Sequence, residues 1–153
     1  MELVLLIGLP ASGKSSFFQR RLADTHTKIS KDLMKGKRNR DHKQRVLLEE
    51  CAKRDQPVVL DNTHPSKASR APWIRWAQER QWKVKGYYLS CSVEECQRRN
   101  ALRDPSEKVP DVGFFSILGS LERPSYSEGF DELFFVTSVR EEFQVERWTD
   151  DEA

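Results

Sequence analysis

The chain has three cysteines, Cys51, Cys91 and Cys96, in 153 residues. Three cannot make a disulfide framework. None is at CxxC spacing and no histidine stands nearby at ligand spacing, which argues against a zinc site. Reduced thiols fit a cytoplasmic protein. Long apolar runs are also missing, and nothing approaches the length of a bilayer span. The opening Glu2-Leu3-Val4-Leu5-Leu6-Ile7 starts acidic and breaks at Gly8, so it reads as a buried strand and not as a leader. A charge excess is lacking too: Lys plus Arg number 26 against 24 Asp plus Glu, a net +2. That balance excludes a uniformly basic coat protein but leaves room for a local basic channel. There is no internal repeat and no low-complexity linker.

What is present is a chain of short apolar blocks among many charges, with 37% hydrophobic and 33% charged residues. Leu3–Ile7, Thr27–Ser30, Pro57–Asp61, Val84–Leu89 and Leu133–Val136 read as strands. Lys14–Asp24, Asp41–Arg54, Ser66–Arg80, Ser92 to about Arg103 and Asp111–Leu121 read as helices. Strands alternate with helices, which predicts an α/β fold with a central, mainly parallel sheet flanked by helices. One domain is expected over residues 1–148, with a frayed acidic tail at 149–153. Trp73, Trp76 and Trp82 fall close together and are expected to pack inward.

Gly8-Leu9-Pro10-Ala11-Ser12-Gly13-Lys14-Ser15 fits G-x-x-x-x-G-K-[ST]. The spacing has a physical reason. Two glycines let the loop curl so that its backbone N–H groups face a phosphate. The next helix offers its N-terminal N–H groups to the same anion. Lys14 adds a charge for the outer phosphates, and the Ser15 hydroxyl suits Mg²⁺. Nucleotide contacts are therefore expected from Gly8, Pro10, Ala11, Ser12, Gly13, Lys14, Ser15 and Ser16.

Two acids follow strands at the same sheet edge. Asp61 suits a metal site and Asp32 suits a base that takes a proton from an attacking hydroxyl. Each also reads as an ordinary turn or helix-cap residue. Arg99 and Arg103, four apart, are expected on one helix face before the polar loop 104–109, a lid carrying cations for the transferred phosphate. Arg98 is expected to point elsewhere, into solvent. Lys35, Lys37, Arg38, Arg40, Lys43 and Arg45 crowd one stretch that could hold a polyanion or simply face water.

Taken in order, Gly8–Ser15, Ser30-Lys31-Asp32, Val58–Thr63, Arg70, Arg99-Asn100, Arg103, Val109-Pro110 and Glu128-Gly129-Phe130-Asp131 resemble the kinase domain of polynucleotide 5′-hydroxyl kinases of bacteriophage and animals. The resemblance runs from Met1 to about Val136. It implies a P-loop kinase fold with an arginine-bearing lid, ATP and Mg²⁺ as cofactors, and the 5′-OH end of DNA or RNA as acceptor. It implies Asp32 as general base, Lys14 and Arg103 on the phosphates with Arg99 beside them, and Asp61 near metal and acceptor. Asn62 and Arg70 fall at further acceptor-side positions. Lys35 replaces an arginine that in the family grips the acceptor's phosphate, which keeps charge but loses the bidentate fork. His64 stands where asparagine is common. No D-x-D-x-T phosphatase motif is present.

The reading is an ATP-dependent phosphotransferase acting on polynucleotide 5′-hydroxyls, with adenine near the segments after Arg103 and around Val136–Arg140. Two alternatives remain open on the residues themselves: a P-loop kinase of a small hydroxyl acceptor such as a nucleoside, sugar or antibiotic, and a nucleotide-binding ATPase or switch.

Overall fold

The computed structural model describes residues 1–30, 39–61, 64–140 and 142–150. Its centre is a six-stranded sheet of order β2-β3-β1-β4-β5-β6. The strands are β1 (Glu2–Ile7), β2 (Thr27–Ser30), β3 (Val58–Asp61), β4 (Lys83–Leu89), β5 (Glu132–Val139) and β6 (Glu142–Arg147). The first five run parallel and β6 is antiparallel to β5. The helices are α1 (Lys14–Arg21), α2 (Arg40–Lys53), α3 (Lys67–Glu79), α4 (Val93–Ala101) and α5 (Asp111–Ser120).

The apolar blocks explain the layering. Side chains alternate across a strand, so a continuous apolar run needs cover on both faces. From β1, Leu3, Leu5 and Ile7 pack with Leu48 of α2 and with Trp73, Ile74 and Trp76 of α3. Val4 and Leu6 meet Phe17 and Phe18 of α1 on the opposite face. A third, smaller cluster joins Leu9, Cys96 of α4 and Phe114 of α5 beneath the loop that follows β1. Trp73 and Trp76 are buried and Trp82 packs edge-on against Trp76, as expected.

Three differences from the sequence reading matter. The strand expected at 133–136 extends to Glu132–Val139 and turns back as β6. Helix α4 stops at Ala101, so Arg103 follows the helix and does not share its face with Arg99. The expected frayed tail is tied down at its start: Asp150 accepts from the Ser125 hydroxyl and the Tyr126 N–H, both at 3.2 Å. Residues 151–153 lie outside the described ones. No helix among the described residues is long and apolar enough to cross a membrane.

The topology fixes where chemistry can sit. β1 is central, flanked by β3 and β4, and the chain leaves it first for one side and later for the other. In open α/β sheets ligands bind beyond the carboxyl ends of the strands at such a switch point.

Candidate active site

The loop from Gly8 to Lys14 rises from the end of β1 and enters α1 without a side-chain cap. Its two glycines are required for different reasons. A Cβ on Gly8 would stand 2.7 Å from Ser12 Oγ and 3.1 Å from the Leu89 carbonyl. Gly13 has φ 105°, the left-handed region that side chains resist. Ala11 also has positive φ, at 64°. Such strain persists where the surroundings enforce it, commonly at ligand-binding loops. Lys14 Nζ donates to the carbonyls of Gly8 and Leu9, at 2.9 Å each. The ammonium is thus folded over the mouth of its own loop.

Asp61 ends β3, level with Ser30 at the end of β2. It is 5% exposed. Its Oδ2 pairs with Lys28 Nζ at 3.2 Å, while Oδ1 is buried with no hydrogen-bond partner among the described residues. A buried carboxylate oxygen in that state is costly unless something else approaches it. Ser15 lines the same cleft. Together they offer the hard oxygen donors that suit Mg²⁺.

The arginines come from α4 and the turn after it. Glu95 accepts from Arg98 Nη2 (2.6 Å) and Nε (3.0 Å) and from Arg99 Nε (3.0 Å). Those bonds, Arg98's first and then Arg99's, hold the Glu95 carboxyl down at about 2. Arg98 is exposed, as expected, with 61% of its side chain accessible, and it stands at the border of the cleft lined by Arg99 and Arg103. Arg103 N–H donates to the Asn100 carbonyl at 3.2 Å, placing its side chain just past the helix end.

Two clefts open on this edge. One, of about 220 Å³, lies against Asp61, His64, Pro65, Val109 and Ile117. The other, of about 560 Å³, lies against Arg20, Arg98, Arg99, Ser138 and Phe143. Both are lined by Ala11, Lys14, Ser15 and Arg103, where they meet. Of the residues expected from sequence, Gly8, Pro10, Ala11, Gly13, Lys14, Ser15, Ser16, Asp61, Arg99 and Arg103 line one cleft or the other. Ser12 is buried within the loop and lines neither cleft. Asp32, Lys35 and Asn62 lie outside the described residues.

Arg70 corrects an expectation. Read as an acceptor contact, it is 0% exposed, and all five of its N–H donors are engaged. Nε and Nη2 reach Glu128 (2.8 and 3.2 Å), Nη1 reaches the carbonyls of His64 (3.0 Å) and Pro65 (2.9 Å), and Nη2 the Glu122 carbonyl (3.2 Å).

The sequence reading passed over Arg20, Ile117 and Phe143. Arg20 lies four residues after Ser16 and shares its helix face, a signal that was available. Phe143 arrives on β6, whose alternation Phe143-Gln144-Val145 was the only clue.

Comparison with known proteins agrees with this geometry. A bifunctional polynucleotide phosphatase/kinase of Schizosaccharomyces pombe is 30% identical over 136 residues, covering 86% of this chain and 32% of that protein. A putative bifunctional polynucleotide phosphatase/kinase of Acanthamoeba polyphaga mimivirus is 28% identical over 143 residues, covering 89% of this chain and 33% of that protein. The chain thus spans about one third of the length of the curated relatives it matches. A fungal RNA kinase superposes with a TM-score of 0.68 at 14% identity, covering 99% of this chain and 40% of that one, a likeness of fold. The family model described as AAA domain matches residues 3–124, from β1 through α5, and the chain belongs to that family.

Proposed function

We propose that the chain is an ATP-dependent phosphotransferase that moves the γ-phosphoryl group to the 5′-hydroxyl end of a polynucleotide. One observation carries the reading: two clefts of different character meet at Lys14, Ser15 and Arg103. A transfer between two bound molecules needs that arrangement, with the cations where charge develops. The names of the two relatives supply the acceptor class.

In this reading the nucleoside lies in the larger cleft, between the arginines of α4 and the β5–β6 hairpin. The phosphates run along the loop toward Lys14. The acceptor hydroxyl enters the smaller cleft on the Asp61 and His64 side. Asp32 takes the hydroxyl proton as that oxygen bonds to the γ-phosphorus, and the bond to the bridging oxygen breaks to release ADP. Lys14 leaves its loop carbonyls for the phosphate oxygens, and Arg103 neutralises charge on the group in transfer. Ser15 and Asp61 are the residues that would hold Mg²⁺, which when bound offsets charge on the outer phosphates. Closure of the 102–109 segment keeps water from the reacting phosphate.

The test is transfer of labelled γ-phosphate from ATP with Mg²⁺ to 5′-OH DNA and RNA oligonucleotides, beside nucleosides and sugars. Label on oligonucleotide ends, lost in Asp32→Asn and Lys14→Ala, is the expected result. Label on a small acceptor alone would overturn the acceptor class. Hydrolysis without transfer would overturn the reading.

A further inference from the structure

The Arg70 guanidinium sits where physics resists it. It is fully buried and lies near the N-terminus of α3, whose dipole repels a cation. Such a group needs complete compensation, and it has it in a bidentate pair with Glu128 and three backbone carbonyls. Those partners are not spread at random. Two of the carbonyls belong to His64 and Pro65, the residues that form a wall of the smaller cleft. The third belongs to Glu122, whose N–H donates to the Pro65 carbonyl at 2.7 Å. The second Glu128 oxygen also accepts from the Ser125 N–H at 2.9 Å. One side chain thereby joins the segment after β3, the end of α5 and the turn at 125–128. The His64 ring stands edge-on to Trp73 at 6.0 Å, fixed from behind.

We infer that Arg70 is a positioning residue for the acceptor: through the His64 and Pro65 carbonyls it sets the wall against which the attacking hydroxyl is held. The inference rests on the reading that the smaller cleft takes the acceptor. It predicts an asymmetry, because none of these bonds runs to the phosphate loop or to the larger cleft. A buried ion pair adds little net stability, so the arrangement that Arg70 holds accounts for it better than the energy it supplies.

The experiment compares Arg70→Lys and Glu128→Gln with the wild-type chain in oligonucleotide phosphorylation, alongside amide hydrogen exchange. Lysine keeps the charge and loses the fork. Glutamine keeps the shape and loses the charge. The acceptor KM should rise about tenfold to a hundredfold, the scale of a misplacement near 1 Å. The KM for ATP should stay unchanged, and Arg70→Lys should retain more activity than Arg70→Met. Equal rises in both KM values, no rise in the acceptor KM, or failure of both variants to fold would overturn the inference. If wild type phosphorylates no oligonucleotide, the proposed function fails, and exchange still decides on Arg70. Faster exchange confined to peptides covering 64–66 and 122–128 supports Arg70 as the tie that holds the cleft wall, the structural half of the inference. Unchanged exchange, or faster exchange throughout, overturns it.

Discussion

Asn100 closes both edges of its amide on the backbone of Val109: Nδ2 donates to the Val109 carbonyl at 2.7 Å and Oδ1 accepts from its N–H at 3.0 Å. The side chain imitates a strand partner and clamps the neck of the segment that carries Arg103. Asn100 is 4% exposed and Val109 half-buried, so water can replace those bonds only in part when they are lost. Asn100→Ala should cost about 1–3 kcal/mol by leaving the half-buried Val109 N–H and carbonyl without their partner. Urea denaturation measures that loss. The kcat should fall about tenfold as the neck loosens and Arg103 loses its fixed position. Asn100→Asp keeps only the accepting half and should fall between the two. A stability loss with no change in kcat would separate the clamp from catalysis.

The two lid arginines should divide their labour. Arg103 lines both clefts, whereas Arg99 lines only the larger and is bonded to Glu95. Arg103→Ala should lower kcat by about 10³, as loss of a phosphate-facing arginine does in this chemistry. Arg99→Ala should act mainly on the KM for ATP. Glu95 titrates at about 2, well below its ordinary 4.5. Its contribution is complete above that ordinary value and is lost as pH falls from there through about 2. The Arg98–Glu95–Arg99 group therefore keeps its charge state through neutral pH. Glu95→Gln should leave the shape of the kcat–pH profile unchanged, and a shifted limb in that profile would contradict this assignment.

The thiol of Cys96 is pushed up to about 12, first by burial and then by a hydrogen bond with the free thiol of Cys91. Below the ordinary value of 9.0 the folded and unfolded thiols are both protonated, so pH does not distinguish the states. Between 9.0 and about 12 the unfolded chain loses this proton and the folded one keeps it. Stability must therefore fall as pH rises through that window. Cys96→Ala should flatten this part of the stability–pH curve. Alkylation of the native protein near pH 8 should mark the half-exposed Cys91 before Cys96 or the buried Cys51, since thiolate character and access set the rate. Mass spectrometry of the peptides reads the order directly.

Most of the fold was legible because its signals are local. The apolar run Leu3–Ile7 and the Gly8–Ser15 spacing place β1, the loop and α1 without tertiary knowledge, and alternation of strands and helices implies the parallel sheet. What was not legible depends on long-range contacts. Arg70 has the same composition signal whether it faces a substrate or Glu128, and only the packing of residues 58 positions apart decides. The end of α4 was missed by about two residues because Leu102 and Arg103 are good helix formers, and the turn to Asp104 overrides them. β6 was missed because Glu142–Arg147 is a short edge strand in which polar Glu142, Gln144, Glu146 and Arg147 outnumber Phe143 and Val145, a composition that reads as solvated loop.

That missed strand carries the last prediction. Phe143 packs edge-on to Phe17 at 5.3 Å, lies beneath Gly13, and is covered by the Arg20 guanidinium at 5.8 Å. It therefore touches the base of the phosphate loop and borders the larger cleft together. Phe143→Ala should raise the KM for ATP about tenfold, the range seen when a stacking aromatic is removed from beside a nucleobase. It should also cost about 2–3 kcal/mol of stability through lost packing. Phe143→Leu separates the two effects, because it refills the space without a planar ring. If stability returns but the KM stays high, the ring acts on the nucleobase. If both return, the ring only supports the loop. Inhibition by inorganic tripolyphosphate gives the complementary measurement: it has phosphates but no base, so its inhibition constant should not move in Phe143→Leu. A parallel rise for tripolyphosphate would place the defect in the phosphate loop and remove the nucleobase from the argument.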